Sequence, residues 1–168
     1  MATPAQSVAE FGGWKLTQVP AGWEQVPGFG LRCGPAGASS IGFQQEPLSP
    51  EMSLQQYGEV QIQIMQNVVP AAEAKGPKSS NWTGAEEAIE MAWRLVQGDR
   101  QFIVVQIFAK RLGQVGIATF TTTDIELASV GPAFRVVREK LTFQPEPLPQ
   151  PEPPAIEQAG AQPGGSPR

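Results

Sequence analysis

Between Gln97 and Thr122 the apolar positions of the chain crowd into strands joined by two tight turns. The middle segment, Gln101-Phe102-Ile103-Val104-Val105-Gln106-Ile107-Phe108-Ala109, is apolar on both parities, the pattern of a strand buried on both faces. Gly98-Asp99 before it and Leu112-Gly113 after it each place a glycine where a two-residue hairpin loop takes positive φ, so both neighbouring strands are expected to run antiparallel. Two-residue loops set the register: Gln97 opposite Arg100, Trp93 opposite Val104, Arg111 opposite Gln114, and Val104 opposite Thr121.

That register sorts the side chains by face. One face collects Ile89, Met91, Trp93, Leu95, Phe102, Val104, Phe108 and Ile117, with Gln106, Thr119 and Thr121 at its margins, and reads as core. The other mixes Ile103, Val105, Ile107 and Phe120 with the small Ala92 and Ala118 and with Glu90, Arg94 and Thr122. Charged groups are seldom left unpaired in a core, so this second face is expected to be an amphipathic binding surface. A slip of one residue would exchange the two sets. The competing expectation is that the second helix packs on this face and that Glu90 pairs with Arg94.

Flanking segments complete the element list. Trp14 to Val19 reads as a strand closed by Pro20-Ala21-Gly22, and Phe29 to Cys33 and Ile41 to Gln45 as two short strands. Ser49-Pro50-Glu51 offers a hydroxyl cap, a proline suited to a first helical position and an acid for the first turn. Leu54, Tyr57, Gln61, Ile64, Met65 and Val68 then follow helical spacing; Gly58 weakens that helix by about 1 kcal/mol relative to alanine, and Val69-Pro70 ends it. Gly76 to Gly84 is turn-rich, with a short strand expected at Ser80 to Thr83. Ala85 to Val96 fits either period, and the hairpin glycine downstream decides for a strand from Ala88 onward. Thr123-Asp124-Ile125-Glu126 has capping-box spacing ahead of Leu127, Val130, Phe134, Val137 and Leu141, and Pro132 is expected to kink that helix or mark its start. The order predicts an α+β fold: an antiparallel sheet of six to seven strands with two helices.

Composition narrows the function. The 168 residues suggest one domain, spanning 11–143, between a flexible amino-terminal arm at 1–10 and a disordered proline-rich tail at 144–168 that holds nearly half of the 17 prolines. The net charge is −4 and the basic residues are scattered, which argues against nucleic acid or an anionic membrane surface as partner. Histidine is absent and Cys33 is the single cysteine, which removes the commonest general base, the Ser-His and Cys-His nucleophile pairs and most catalytic zinc sites. No cofactor and no metal are expected. Glu86, Glu87, Glu90 and Asp99 form the one carboxylate grouping of note, and adjacent acids on a strand alternate faces, so they read as a solvated edge and the chain as a non-enzyme. MATPAQSVAEFGG has neither a basic start nor an apolar run, and no window is long enough to span a bilayer, so the expected location is the cytoplasm, without stable membrane association.

Several motifs carry a family resemblance across about residues 11–143. They are Val19-Pro20-Ala21-Gly22-Trp23 after an early strand, a helix with Leu54 and Tyr57, Thr83-Gly84-Ala85-Glu86-Glu87-Ala88 leading into a strand, the strand pair around Gly113, and a closing helix with Phe134 before Leu141-Thr142-Phe143. In these the chain resembles the DcrB-related family, whose fold is shared with the PsbP-like proteins, an α/β sandwich. Lacking a lipobox or signal, it looks closest to the Eag chaperones of type VI secretion. The resemblance implies a homodimeric chaperone that holds the hydrophobic amino-terminal transmembrane segments of effectors, with Ile103, Val105, Ile107, Phe120, Ala92 and Ala118 as contact and Glu90, Arg94 and Thr122 orienting the client. The alternative is a small-ligand-binding or accessory domain of the PsbP type, with a pocket near Trp23, Tyr57 and Trp93.

Overall fold

The computed structural model describes residues 8–33 and 37–150. The strands are β1 (Ala9–Phe11), β2 (Trp14–Leu16), β3 (Trp23–Val26), β4 (Gly30–Cys33), β5 (Ser40–Pro47), β6 (Glu73–Ser80), β7 (Glu87–Gln97), β8 (Arg100–Arg111), β9 (Gln114–Thr123) and β10 (Leu141–Phe143). Two helices, α1 (Leu54–Val68) and α2 (Leu127–Lys140), interrupt them. Seven strands form one antiparallel sheet in the order β3-β4-β5-β9-β8-β7-β6, and β1-β2-β10 form a second, smaller sheet. The fold is α+β, as the element order predicts.

The central hairpins have the expected register. Gln97 faces Arg100, Trp93 faces Val104, Arg111 faces Gln114, and Val104 faces Thr121. Gly98 (φ 65°) opens the first turn, and both Leu112 (φ 51°) and Gly113 (φ 69°) are left-handed in the second, as a type I′ turn requires. The strand twist that these turns preserve keeps β7, β8 and β9 in register over their whole length.

The sheet separates two cores. On one face Ile89, Met91, Trp93, Val104, Phe108 and Ile117 pack beneath Leu54 and Tyr57 of α1, as the face assignment predicts. Trp93 Nε1 donates to Gln106 Oε1 (3.0 Å), and Gln106 Nε2 donates to Thr119 Oγ1 (3.3 Å), so Gln106 and Thr119 at the polar margin of this face find partners within the protein. The Tyr57 hydroxyl donates to the Glu46 carboxylate; burial and that acceptor push the phenol above its ordinary pKa. On the other face α2 and the small sheet close a core of Trp14, Leu16, Ile41, Ile107, Ala118, Phe120, Val130, Val137 and Phe143. Each large side chain removed from water there contributes about 1.5–3 kcal/mol.

Several local expectations are corrected. The cap of α1 is Ser53, in a capping box with Gln56, while Ser49 closes a preceding turn with Met52. Tyr57, Gly58, Ile62 and Met65 turn toward the sheet, leaving Ile64 and Val68 of the expected stripe exposed (51% and 73%). The segment from Glu73 to Ser80 is an edge strand with a bulge between Lys75 and Lys78, not a turn region ending in a strand at Ser80 to Thr83. Trp14 to Val19 is a strand only to Leu16, and it joins the small sheet rather than the large one. The box at α2 is half formed: Glu126 N–H donates to Thr123 Oγ1 (3.2 Å), but the Glu126 carboxylate accepts from Ala38 N–H (3.0 Å) and the Ser39 hydroxyl instead. Pro132 lies inside α2, whose first residue is Leu127. Ala9 and Glu10, read as part of the amino-terminal arm, already belong to β1, with Ala9 buried. At the other end Gln144 N–H donates to Gly13 O (2.7 Å) and Pro145 is buried, so the first residues of the tail are docked; residues 151–168 lie outside the described residues.

Candidate functional site

The mixed face is shared between core and surface. Ile107 and Ala118 are fully buried and Phe120 and Thr122 nearly so, in the region closed by α2; Thr122 is engaged by Ser39 (Oγ to Oγ1, 2.9 Å). These four therefore lie beside the strip on the same face, in the part of it that is covered rather than open. Ala92, Ile103 and Val105 are half-buried, Glu90 is half-buried, and Arg94 is exposed. Cross-strand pairing sets Ala92 beside Val105 and Arg94 beside Ile103, so the accessible members form one continuous strip on β7 and β8.

Helix α2 bounds that strip. Its Phe134 ring meets Phe120 edge-on (centroids 5.3 Å) and lies 5.8 Å from Trp23, anchoring the helix over β9. Arg138 Nη2 binds Glu90 Oε2 at 2.6 Å, and its guanidinium lies over the Trp82 ring at 5.6 Å. Glu90 consequently pairs with α2 rather than with Arg94. On one strand Glu90 and Arg94 are four residues apart, a separation of roughly 13 Å that no side-chain pair closes comfortably. Beside this contact a hollow of about 260 Å³ is lined by Val105, Ile107, Phe120, Phe134, Arg135 and Arg138. A smaller one of about 140 Å³, lined by Glu73, Lys75, Ala92, Trp93, Arg94 and Ile103, lies toward β6.

This strip and its two hollows sit on a sheet with α1 on one face and α2 and a small sheet on the other. The fold is PsbP-like. The solution structure of cyanobacterial PsbP (CyanoP) from Synechocystis matches with a TM-score of 0.54 and 14% identity, over 85% of this chain and 97% of that one. The crystal structure of LpqN, involved in cell envelope biogenesis of Mycobacterium tuberculosis, matches with a TM-score of 0.57 and 18% identity, over 79% of this chain and 83% of that one. A protein of unknown function from Pseudomonas aeruginosa matches with a TM-score of 0.51 and 19% identity, over 74% and 97% of the two chains. At these identities the likeness is one of fold. No protein-family model matches the sequence, and no curated protein matches it.

The pocket expected near Trp23, Tyr57 and Trp93 does not form, because Trp23 packs with α2 while Tyr57 and Trp93 lie under α1, across the sheet. Among the described residues no three His, Cys, Asp or Glu side chains gather to hold a metal, and Asp99 sits in the β7–β8 turn, at the other end of β7 from Glu86 and Glu87. Among those same residues no helix is long and apolar enough to cross a membrane. Sequence reasoning missed Phe134, Arg135, Arg138 and Lys75 as boundaries of the strip. Arg135 and Arg138 flank the apolar stripe of α2 at a spacing of three, a legible signal once the helix is known to lie over this face.

Proposed function

We propose that this PsbP-like chain is a non-catalytic cytoplasmic chaperone or adaptor. It holds the hydrophobic amino-terminal transmembrane segments of type VI secretion effectors and works as a homodimer. The observation that carries this reading is the strip of Ala92, Ile103 and Val105, half-buried beside the hollow under Phe134, where apolar surface remains for a partner to cover. The resemblance of the motifs to the Eag chaperones supports the choice of client.

Co-expression with such a segment should yield a soluble complex, and failure of every effector segment tried would sink the reading. Val105→Asp should abolish capture while the protein stays folded, because Val105 is only partly enclosed. Ile107→Asp is the contrasting control. Ile107 is fully buried, and an unpaired carboxylate there should unfold the domain. Retention of client binding by a folded Val105→Asp protein would move the site elsewhere.

A further inference from the structure

The strip is edged mainly by cations. Pairing across β6, β7 and β8 puts Lys75, Lys78 and Arg94 on the same face as Ala92, Ile103 and Val105. From α2, Arg135 and Arg138 add two guanidinium groups at the neighbouring hollow. The acids of this sheet face are Glu90, already held by Arg138 at 2.6 Å, and Glu73, opposite Arg94 in register, and α2 adds the exposed Glu139 four residues after Arg135. Among the described residues the ion pairs are Arg138–Glu90 and Arg32–Glu24, so neither Arg94 nor Arg135 is neutralised by a direct salt bridge. The chain as a whole carries a net charge of −4. Positive charge is thus concentrated beside the half-buried apolar strip of an otherwise acidic protein, a field that attracts anions to that spot.

Resting on the reading above, we infer that the strip selects apolar segments flanked by acidic residues and rejects those flanked by lysine and arginine. The apolar stretch lies along Ala92, Ile103 and Val105. A flanking carboxylate meets Arg135 or Arg94, whose planar forks suit bidentate pairing. The rejection has a physical use. Membrane helices of the cell itself carry basic residues on their cytoplasmic flank, and such a flank would be set against Lys75, Lys78, Arg94 and Arg135. Like charges across an interface suppress the wrong partner, so specificity comes from repulsion as well as from attraction. A binder of apolar helices needs some such discrimination, since apolar contact alone does not tell one hydrophobic segment from another.

The test uses the full chain and three labelled peptides in mild detergent: two share an apolar core of about 20 residues flanked by either Asp-Glu or Lys-Arg clusters, and the third has a polar core with Asp-Glu flanks. At low salt the acidic-flanked peptide should bind about tenfold more tightly, a gap of about 1.4 kcal/mol. In about 1 M salt, where the screening length is about 3 Å, the gap should close. The double variant Arg94→Glu, Arg135→Glu changes two exposed side chains, and it should reverse the preference while its circular dichroism stays that of wild type. Equal affinity for both peptides, or a preference untouched by salt and by charge reversal, would overturn the charge selection and leave apolar capture standing. Equal binding of a polar peptide with acidic flanks would also overturn it, reducing the strip to a basic patch. Binding of neither apolar peptide would instead overturn the chaperone reading on which the inference rests.

Discussion

A methyl group added at Gly116 would sit 2.3 Å from the ring of Phe143. That ring is fully buried, with Trp14 at 4.9 Å between centroids, so it has little room to retreat. Gly116→Ala is therefore expected to cost about 1–3 kcal/mol, the range for overfilling a packed core. The check is a lowered urea midpoint with an unchanged denaturant slope. In the sequence, Ala88, Ala109 and Gly116 look merely like weak strand formers. Register places them side by side on one face, a lane of small residues over which Phe143 can lie. The gap was legible from the hairpin turns, but its occupant was not, because Phe143 arrives from the far end of the chain. The same holds for Glu90. Its charge marked the face as unusual, yet the cation that answers it, Arg138, is 48 residues away and no local spacing announces it.

Element by element, legibility follows the range of the contacts. Strands β7, β8 and β9 are linked by two-residue turns, and turn chemistry specifies register locally. The small sheet is the opposite case. β2 pairs with β1 nearby but also with β10, bringing Leu16 opposite Leu141, and that pairing leaves no trace in any short window. Strand β6 was hidden for another reason, since Gly76 and Pro77 are turn residues and here they occupy a bulge on an edge. Helix α1 shows how an apparent defect becomes a contact. A Cβ at Gly58 would lie 2.6 Å from Ile89 Cδ1 and within 3.3 Å of Pro77, so the missing side chain lets α1 approach β6 and β7 closely. Gly58→Ala should consequently fail to deliver the roughly 1 kcal/mol that helix propensity offers. Thermal unfolding should show a stability equal to or below wild type. A gain of that full amount would mean that Ile89 yields freely and that the close approach matters little.

For the molecule as a whole, Glu126 ties the segment before β5 to the start of α2. Its carboxylate is held below the usual range first by the Ala38 N–H and then by the Ser39 hydroxyl. A carboxyl whose folded pKa is depressed contributes stability that is complete above its unfolded value and is lost as the pH falls through the folded one. Solvent reaches this carboxylate and screens its charge, so wild type should exceed Glu126→Gln near neutrality by only about 1 kcal/mol, below the range for an enclosed charge-assisted hydrogen bond. Below about pH 4.5 the difference should shrink. A difference independent of pH would show that the carboxylate charge is not what holds the loop. The division of the mixed face also emerges only at this scale. Helical spacing in α2 told of an apolar stripe, but where it would lie depends on Phe134 packing against both Phe120 of the preceding strand and Trp23 of β3, far back in the chain. Strand β6 has a further consequence for assembly. The bulge between Lys75 and Lys78 breaks the outer row of hydrogen-bonding groups just where a neighbouring strand would have to align, and it sets lysines and a proline along that border. A second copy of the chain is thereby denied β6 as a seam for lengthening the sheet, so a dimer would have to join through other surfaces and leave this border lying in water.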